Sequence, residues 1–172
     1  MVQTAVSTAL ASSRWRWAAI LLAIAVAALR PDLPVVPLLL LAAYFLLTAT
    51  LVGLFHLTLP PQALGLLDIA VLSCTVLASG GERSPVYIVY LATALDVGSR
   101  VATGQAAGLA VMAAVGYALA AWGASLAGVY PFDAALAATR GFLFLAAAVT
   151  SSSLNQAANL ARMRAAEADA LN

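Results

Sequence analysis

Lysine is absent from this chain, and cysteine and histidine occur once each, at Cys74 and His56. A lone cysteine excludes an internal disulfide. One histidine and one cysteine do not make a metal constellation, so no metal site is expected. No glycine-rich phosphate loop occurs. No set of acid, base and nucleophile is visible either, so the chain is not expected to be an enzyme and no catalytic residue is assigned. Charged residues make up only 9% of the chain, against about 25% in a soluble domain, too few to build a solvated surface. The net charge of +1 offers no electrostatic footprint for nucleic acid.

What is present is apolar: 64% of residues are hydrophobic and the mean hydropathy is +1.00. Polar and proline-rich interruptions divide the chain into runs. The first is Trp15 to Leu29, with Trp15, Trp17 and flanking arginines suited to an interface. The second is about Pro34 to Leu57, the third Gln62 to Ser79, the fourth Pro85 to Ser99, and the fifth Gly104 to Gly128. The sixth begins near Ala134 and passes Leu154 without a stop, and Asp133 is placed to cap it. Several runs are shorter than the about 20 residues a crossing takes, so flanking residues or local thinning must complete it. The fold expected is an all-α integral membrane protein: a six-transmembrane-helix bundle with a cytoplasmic helical extension. Residues 1–13 read as an N-terminal tail, 14–154 as the bundle and 155–172 as a linker helix. Six crossings place both termini on one side, with Arg14, Arg16, Arg100, Arg162 and Arg164. Arg30, Arg83 and Arg140 fall on the other. By the positive-inside rule both termini are cytoplasmic.

The third and fourth runs are joined by Gly80-Gly81-Glu82-Arg83-Ser84-Pro85. The glycines can end a helix in the left-handed conformation. Ser84 can cap the next helix and Pro85 fits its first turn. This is a tight helical hairpin with Glu82 and Arg83 expected at its tip, facing outward.

Asp68 and Asp96 lie inside apolar runs, where a carboxylate is costly and is functional or paired. A hairpin turning between Glu82 and Arg83 puts them at similar depth. With Arg100 one helical turn beyond Asp96 and His56 at the end of the second run, a polar cluster of His56, Asp68, Asp96 and Arg100 is one reading. The other is structural: an Asp96–Arg100 pair at the interface, and Asp68 capping or bonding a neighbouring helix. Gly104 and Gly108 form a GxxxG spacing suited to close helix packing within the bundle or between subunits, with Gly116 and Gly123 beyond. Thr150 to Ser153, Asn155 and Gln156 make the end of the sixth run polar, with side chains able to bond back to that helix or across from it.

From Asn155 the chain has no Gly or Pro and is rich in helix formers. Leu154, Ala158, Ala161, Ala165 and Ala168 recur at spacings of four and three, with Leu160, Met163 and Leu171 as a second stripe. Arg164 and Glu167 are spaced to pair along it. Either stripe can serve as a short coiled-coil seam, so a homodimer through the C-terminal helix is expected.

An aspartate early in the third run, followed by GGERSPVYIVY leading into the fourth, resembles the six-helix N-terminal sensor region of bacterial histidine kinases. The tail ARMRAAEADALN is similar to the linker helix that precedes their dimerisation domain. Redox-responsive kinases of this kind carry a GGxxNPF loop to which quinone sensing is attributed. Gly80, Gly81 and Pro85 match it, while Ser84 stands in place of Asn and Val86 in place of Phe. The resemblance implies a signal-input module of a two-component system in the bacterial inner membrane. It implies a lipophilic ligand, with a quinone as the cofactor, at Gly80, Gly81, Ser84, Pro85, Tyr87 and Tyr90. No phosphoacceptor helix or nucleotide-binding domain lies within these residues, so the kinase regions are expected elsewhere. The alternative is a small-molecule binding or transport subunit of the membrane, with Asp68 and Asp96 lining a midplane site.

Overall fold

The computed structural model describes residues 17, 18, 20–22, 24, 25, 34–54 and 60–170. The N-terminal tail, Trp15, His56 and Leu171 lie outside the described residues. Among the described residues five bounded α-helices follow one another: α1 Val35–Leu54, α2 Pro61–Ala78, α3 Tyr87–Gly98, α4 Thr103–Leu126 and α5 Ala134–Ala170. Residues 17, 18, 20–22, 24 and 25 are also helical, and no strand occurs among the described residues.

Local signals explain most boundaries. Pro61 opens α2, where its missing N–H is not needed. Asp133 starts α5 by accepting the N–H groups of Ala135 and Leu136 at 2.9 and 3.1 Å, so the expected cap is present. The chain reverses after α2 through Gly80 and Gly81, at φ +107° and +63°, and a single 3₁₀ turn over Gly81–Arg83. Ser84 Oγ accepts the Val86 N–H at 3.3 Å. Regular α-helix then begins at Tyr87, two residues after the proline, so the helix is shorter than the run that contains it.

Among the described residues three helices, α2, α4 and α5, are long and apolar enough to cross a membrane. With a 1.5 Å rise per residue, the 12 residues of α3 span about 18 Å, well short of the hydrocarbon thickness. By the same measure the 37 residues of α5 reach about 55 Å and must project beyond it. Large apolar side chains cover the outside, among them Leu39, Leu40, Met112, Leu119, Trp122 and Phe142. That surface suits lipid and not water. Together these features describe an α-helical membrane protein.

The core gathers on α3, α4 and α5. Tyr90 and Phe144 stack with ring centroids 5.2 Å apart, and Tyr117 meets both edge-on at 5.8 and 5.7 Å. Phe45 of α1 and Ile20 of the N-terminal stretch add to the buried cluster. Backbones approach closely where side chains are smallest. A Cβ on Gly98 would collide with the Ala148 carbonyl oxygen, one on Gly141 would lie 2.9 Å from Ala114 Cβ, and one on Gly116 2.8 Å from Ser73 Oγ. A Cβ on Gly104 or Gly108 would meet nothing within 4 Å, so among the described residues the GxxxG pair makes no close helix contact.

These contacts predict opposite effects for two similar substitutions. Gly98→Ala forces α3 from α5 backbone to backbone and should destabilise the fold by about 3 kcal/mol. Gly108→Ala, exposed in mid-helix, should be neutral or stabilising by up to about 1 kcal/mol. Thermal unfolding in detergent followed by circular dichroism separates them; equal tolerance of both would contradict the α3–α5 contact.

Candidate functional site

Two polar groupings occupy opposite ends of the bundle, and α5 passes through both. The first surrounds the hairpin turn. Ser79 and Ser84, both fully buried, join hydroxyl to hydroxyl at 2.6 Å and close the turn. Glu82 points inward and is 6% exposed, whereas Arg83 is exposed and lies over the Tyr130 ring at 4.4 Å. Glu82 Oε2 accepts the Asp133 N–H at 3.0 Å. Its Oε1 is buried with no hydrogen-bond partner among the described residues. Arg140, in the second turn of α5, donates to the Glu82 carbonyl and to the Tyr117 hydroxyl. Its guanidinium also sits 4.2 Å from the Tyr87 ring centroid, a cation–π arrangement. One arginine thus ties the hairpin turn, α3 and α4 to α5.

This arrangement corrects one expectation. Glu82 and Arg83 do not stand together at a tip; the turn folds back on the bundle, and the carboxylate goes inside, where the Asp133 N–H donates to it and Arg140 holds the Glu82 carbonyl. The expected ligand residues divide accordingly. Gly80, Gly81 and Ser84 are buried, and Pro85 and Tyr87 are partly exposed. Tyr90 is 1% exposed and belongs to the aromatic core, where its hydroxyl pairs with Ser73 at 2.5 Å. The surface that the turn offers is therefore Arg83 with parts of Pro85 and Tyr87.

The second grouping lies where α3 ends. Asp96 pairs with Arg100 one turn later. Asp68, on α2, accepts the Tyr44 hydroxyl of α1 at 2.5 Å. Both carboxylates are buried, at 6% and 3% exposure, and each has the neighbour that the structural reading gave it. The last carbonyls of a helix have no partner within it, and here α5 supplies donors to that end of the chain. Ser151 Oγ donates to the Leu95 carbonyl at 2.8 Å, Ser152 Oγ to Val101 at 2.9 Å, and Asn155 Nδ2 to Ser99 at 2.6 Å. The polar end of the last helix therefore bonds across to α3 and the turn after it.

Between the two groupings lies a cavity of about 20 Å³ lined by Gly65, Tyr90, Val97, Ala110 and Ala148 among others. That is room for about one water molecule, too little for a ring-sized ligand. Among the described residues no cluster of three or more His, Cys, Asp or Glu side chains could hold a metal ion. Arg140 was counted in the sequence only as a charge outside the membrane. The signal that marks it was available: an arginine a short way into an apolar helix is expensive unless it has acceptors.

The two acid positions should respond differently to neutralisation. Asp96→Asn leaves Arg100 in a largely buried position without its anion and should cost about 3 kcal/mol. Asp133→Asn keeps a good capping side chain and should lower stability by well under about 1 kcal/mol. Folded yield and melting temperature in detergent measure both; matching losses would mean that the Asp96–Arg100 pair contributes nothing.

Comparison of the chain with protein-family models, curated proteins and solved structures gives no match.

Proposed function

We propose that the chain is a membrane-embedded signal-input module, and that its output is a movement of α5 read by a dimerisation and kinase region of a two-component system. In this reading it lies in the bacterial inner membrane with both termini cytoplasmic and the Gly80–Pro85 turn outside. A lipophilic signal, a quinone by the loop resemblance, would meet the surface of Arg83, Pro85 and Tyr87. The chain itself performs no catalysis.

One observation carries the reading. The helix that holds the hairpin turn through Arg140 is the same helix that leaves the bundle at Asn155 and runs on to Ala170. A displacement at one end of a continuous helix is transmitted along it, since its backbone hydrogen bonds resist bending. From Gln156 to Ala168 every residue is exposed, and the apolar side chains of Leu160 and Met163 are 55% and 62% exposed. A single helix so poor in burial is marginal alone, and pairing with the same segment of a second subunit would cover it.

The test is disulfide scanning in native membranes, in a Cys74→Ala background. Single substitutions from Ala157→Cys to Ala168→Cys should cross-link between subunits with a period near 3.5 residues. A flat profile, or no cross-linking, would remove the parallel dimer and with it the main support for a signalling role.

A further inference from the structure

We infer that the Gly80–Ser84 turn is a clasp on the first turns of α5, and that its opening is the event that moves the tail; this rests on the signal-input reading above. The turn closes on α5 by two polar links. Glu82 Oε2 accepts the N–H of Asp133, the residue that caps α5, and the Glu82 carbonyl accepts from Arg140. Both links therefore join residue 82 to the first eight residues of the output segment. A third contact sets how closely the turn can sit. Gly81 adopts φ +63°, and a Cβ there would lie 2.9 Å from Ala124 Cβ and 3.4 Å from the Ala121 carbonyl oxygen.

The closed clasp is held under an internal penalty. Glu82 is nine-tenths buried, yet Oε1 has no donor among the described residues. The guanidinium that could have served it is directed instead to the carbonyl, the Tyr117 hydroxyl and the Tyr87 ring. Leaving a buried acceptor unmade opposes burial, so opening returns the carboxylate to water and offsets the links that are broken. A contact balanced in this way can be shifted by a small perturbation on its outer face. That face carries Arg83 stacked on Tyr130, where a bound molecule would act. Release of Arg140 from the turn would then free α5 at this end, while Ser151, Ser152 and Asn155 still hold it at the other.

Two variants open the clasp by unrelated means. Glu82→Ala removes the acceptor of the Asp133 N–H, and Gly81→Ala wedges the turn away from α4. In the full chain in lipid nanodiscs, each should raise amide exchange across residues 129–137 by about tenfold, the loss of one charge-assisted hydrogen bond. Each should also move the maxima of the tail cross-linking profile by at least one position. Adding Ala124→Gly to Gly81→Ala gives back the space but not the left-handed backbone, and should return both readouts part of the way toward those of the unmodified chain, which shows that the variant is folded. Gly108→Ala, exposed on α4 and outside both links, should leave residues 129–137 unchanged. If exchange rises while a periodic tail profile stays fixed, the clasp does not control the tail and the inference falls, with the signal-input reading intact. If the unmodified chain shows no periodic profile, that reading fails first and the inference goes with it.

Discussion

Arg140 is the interaction on which the arrangement of this bundle depends. A guanidinium placed a short way into an apolar helix must find acceptors, because the surroundings offer no water to replace them. It finds the Glu82 carbonyl, the Tyr117 hydroxyl and the face of Tyr87. Those three partners belong to the hairpin turn, α4 and α3, so satisfying one side chain fixes four segments relative to one another. The stacked pair Tyr90–Phe144 and the edge-on Tyr117 lie inward of it and fill the volume that this positioning creates.

The same demand for satisfied polar groups shapes the other end. A helix of 12 residues such as α3 cannot cross the hydrocarbon by itself. The carbonyls of Ser99 and Val101, in the turn after it, would otherwise face an environment that cannot bond them, and the Leu95 carbonyl, which takes the Ser99 N–H at 3.1 Å, has room for a second donor. Ser151, Ser152 and Asn155 meet that need from α5. Close approach makes the bonds reachable, and Gly98 packed on Ala148 makes the close approach reachable. One helix therefore answers the polar demands at both ends of its neighbours, and this gives α5 its place in the functional reading.

Much of this could be read from residue order because punctuation is local. Pro61, the Gly80–Gly81 pair and Asp133 act on their own segments, and each stands where the structure uses it. The polar end of the last helix was equally legible, since four polar side chains in succession, Thr150 to Ser153, with Asn155 and Gln156 just beyond, need partners. What escaped depended on which face meets which neighbour. Glu82 and Arg83 are adjacent and opposite in charge, and nothing in their order says which one turns inward. The loop resemblance put Tyr90 among the ligand residues, yet its position on α3 directs it to Phe144. Of the glycines that the spacing marked on α4, Gly116 and Gly123 pack on Ser73 and Leu77 of α2, Gly104 and Gly108 meet nothing within 4 Å, and the close approaches at Gly98 and Gly141 carry no such spacing. Spacing shows that a close approach is permitted, not where another helix lies.

The central claim is that α5 is one rigid helix joining the hairpin turn to the far end of the tail. It is tested most directly by a pulsed electron–electron spin-resonance distance within a single chain. Labels are attached at Thr139→Cys and Ala166→Cys, both exposed positions, in a Cys74→Ala background, in nanodiscs, diluted with unlabelled chain. A continuous helix of 27 residue steps places the backbones about 40 Å apart in one narrow distribution. A broad distribution, or one centred well below that value, would mean that the helix breaks between membrane and tail and cannot carry a movement from one to the other.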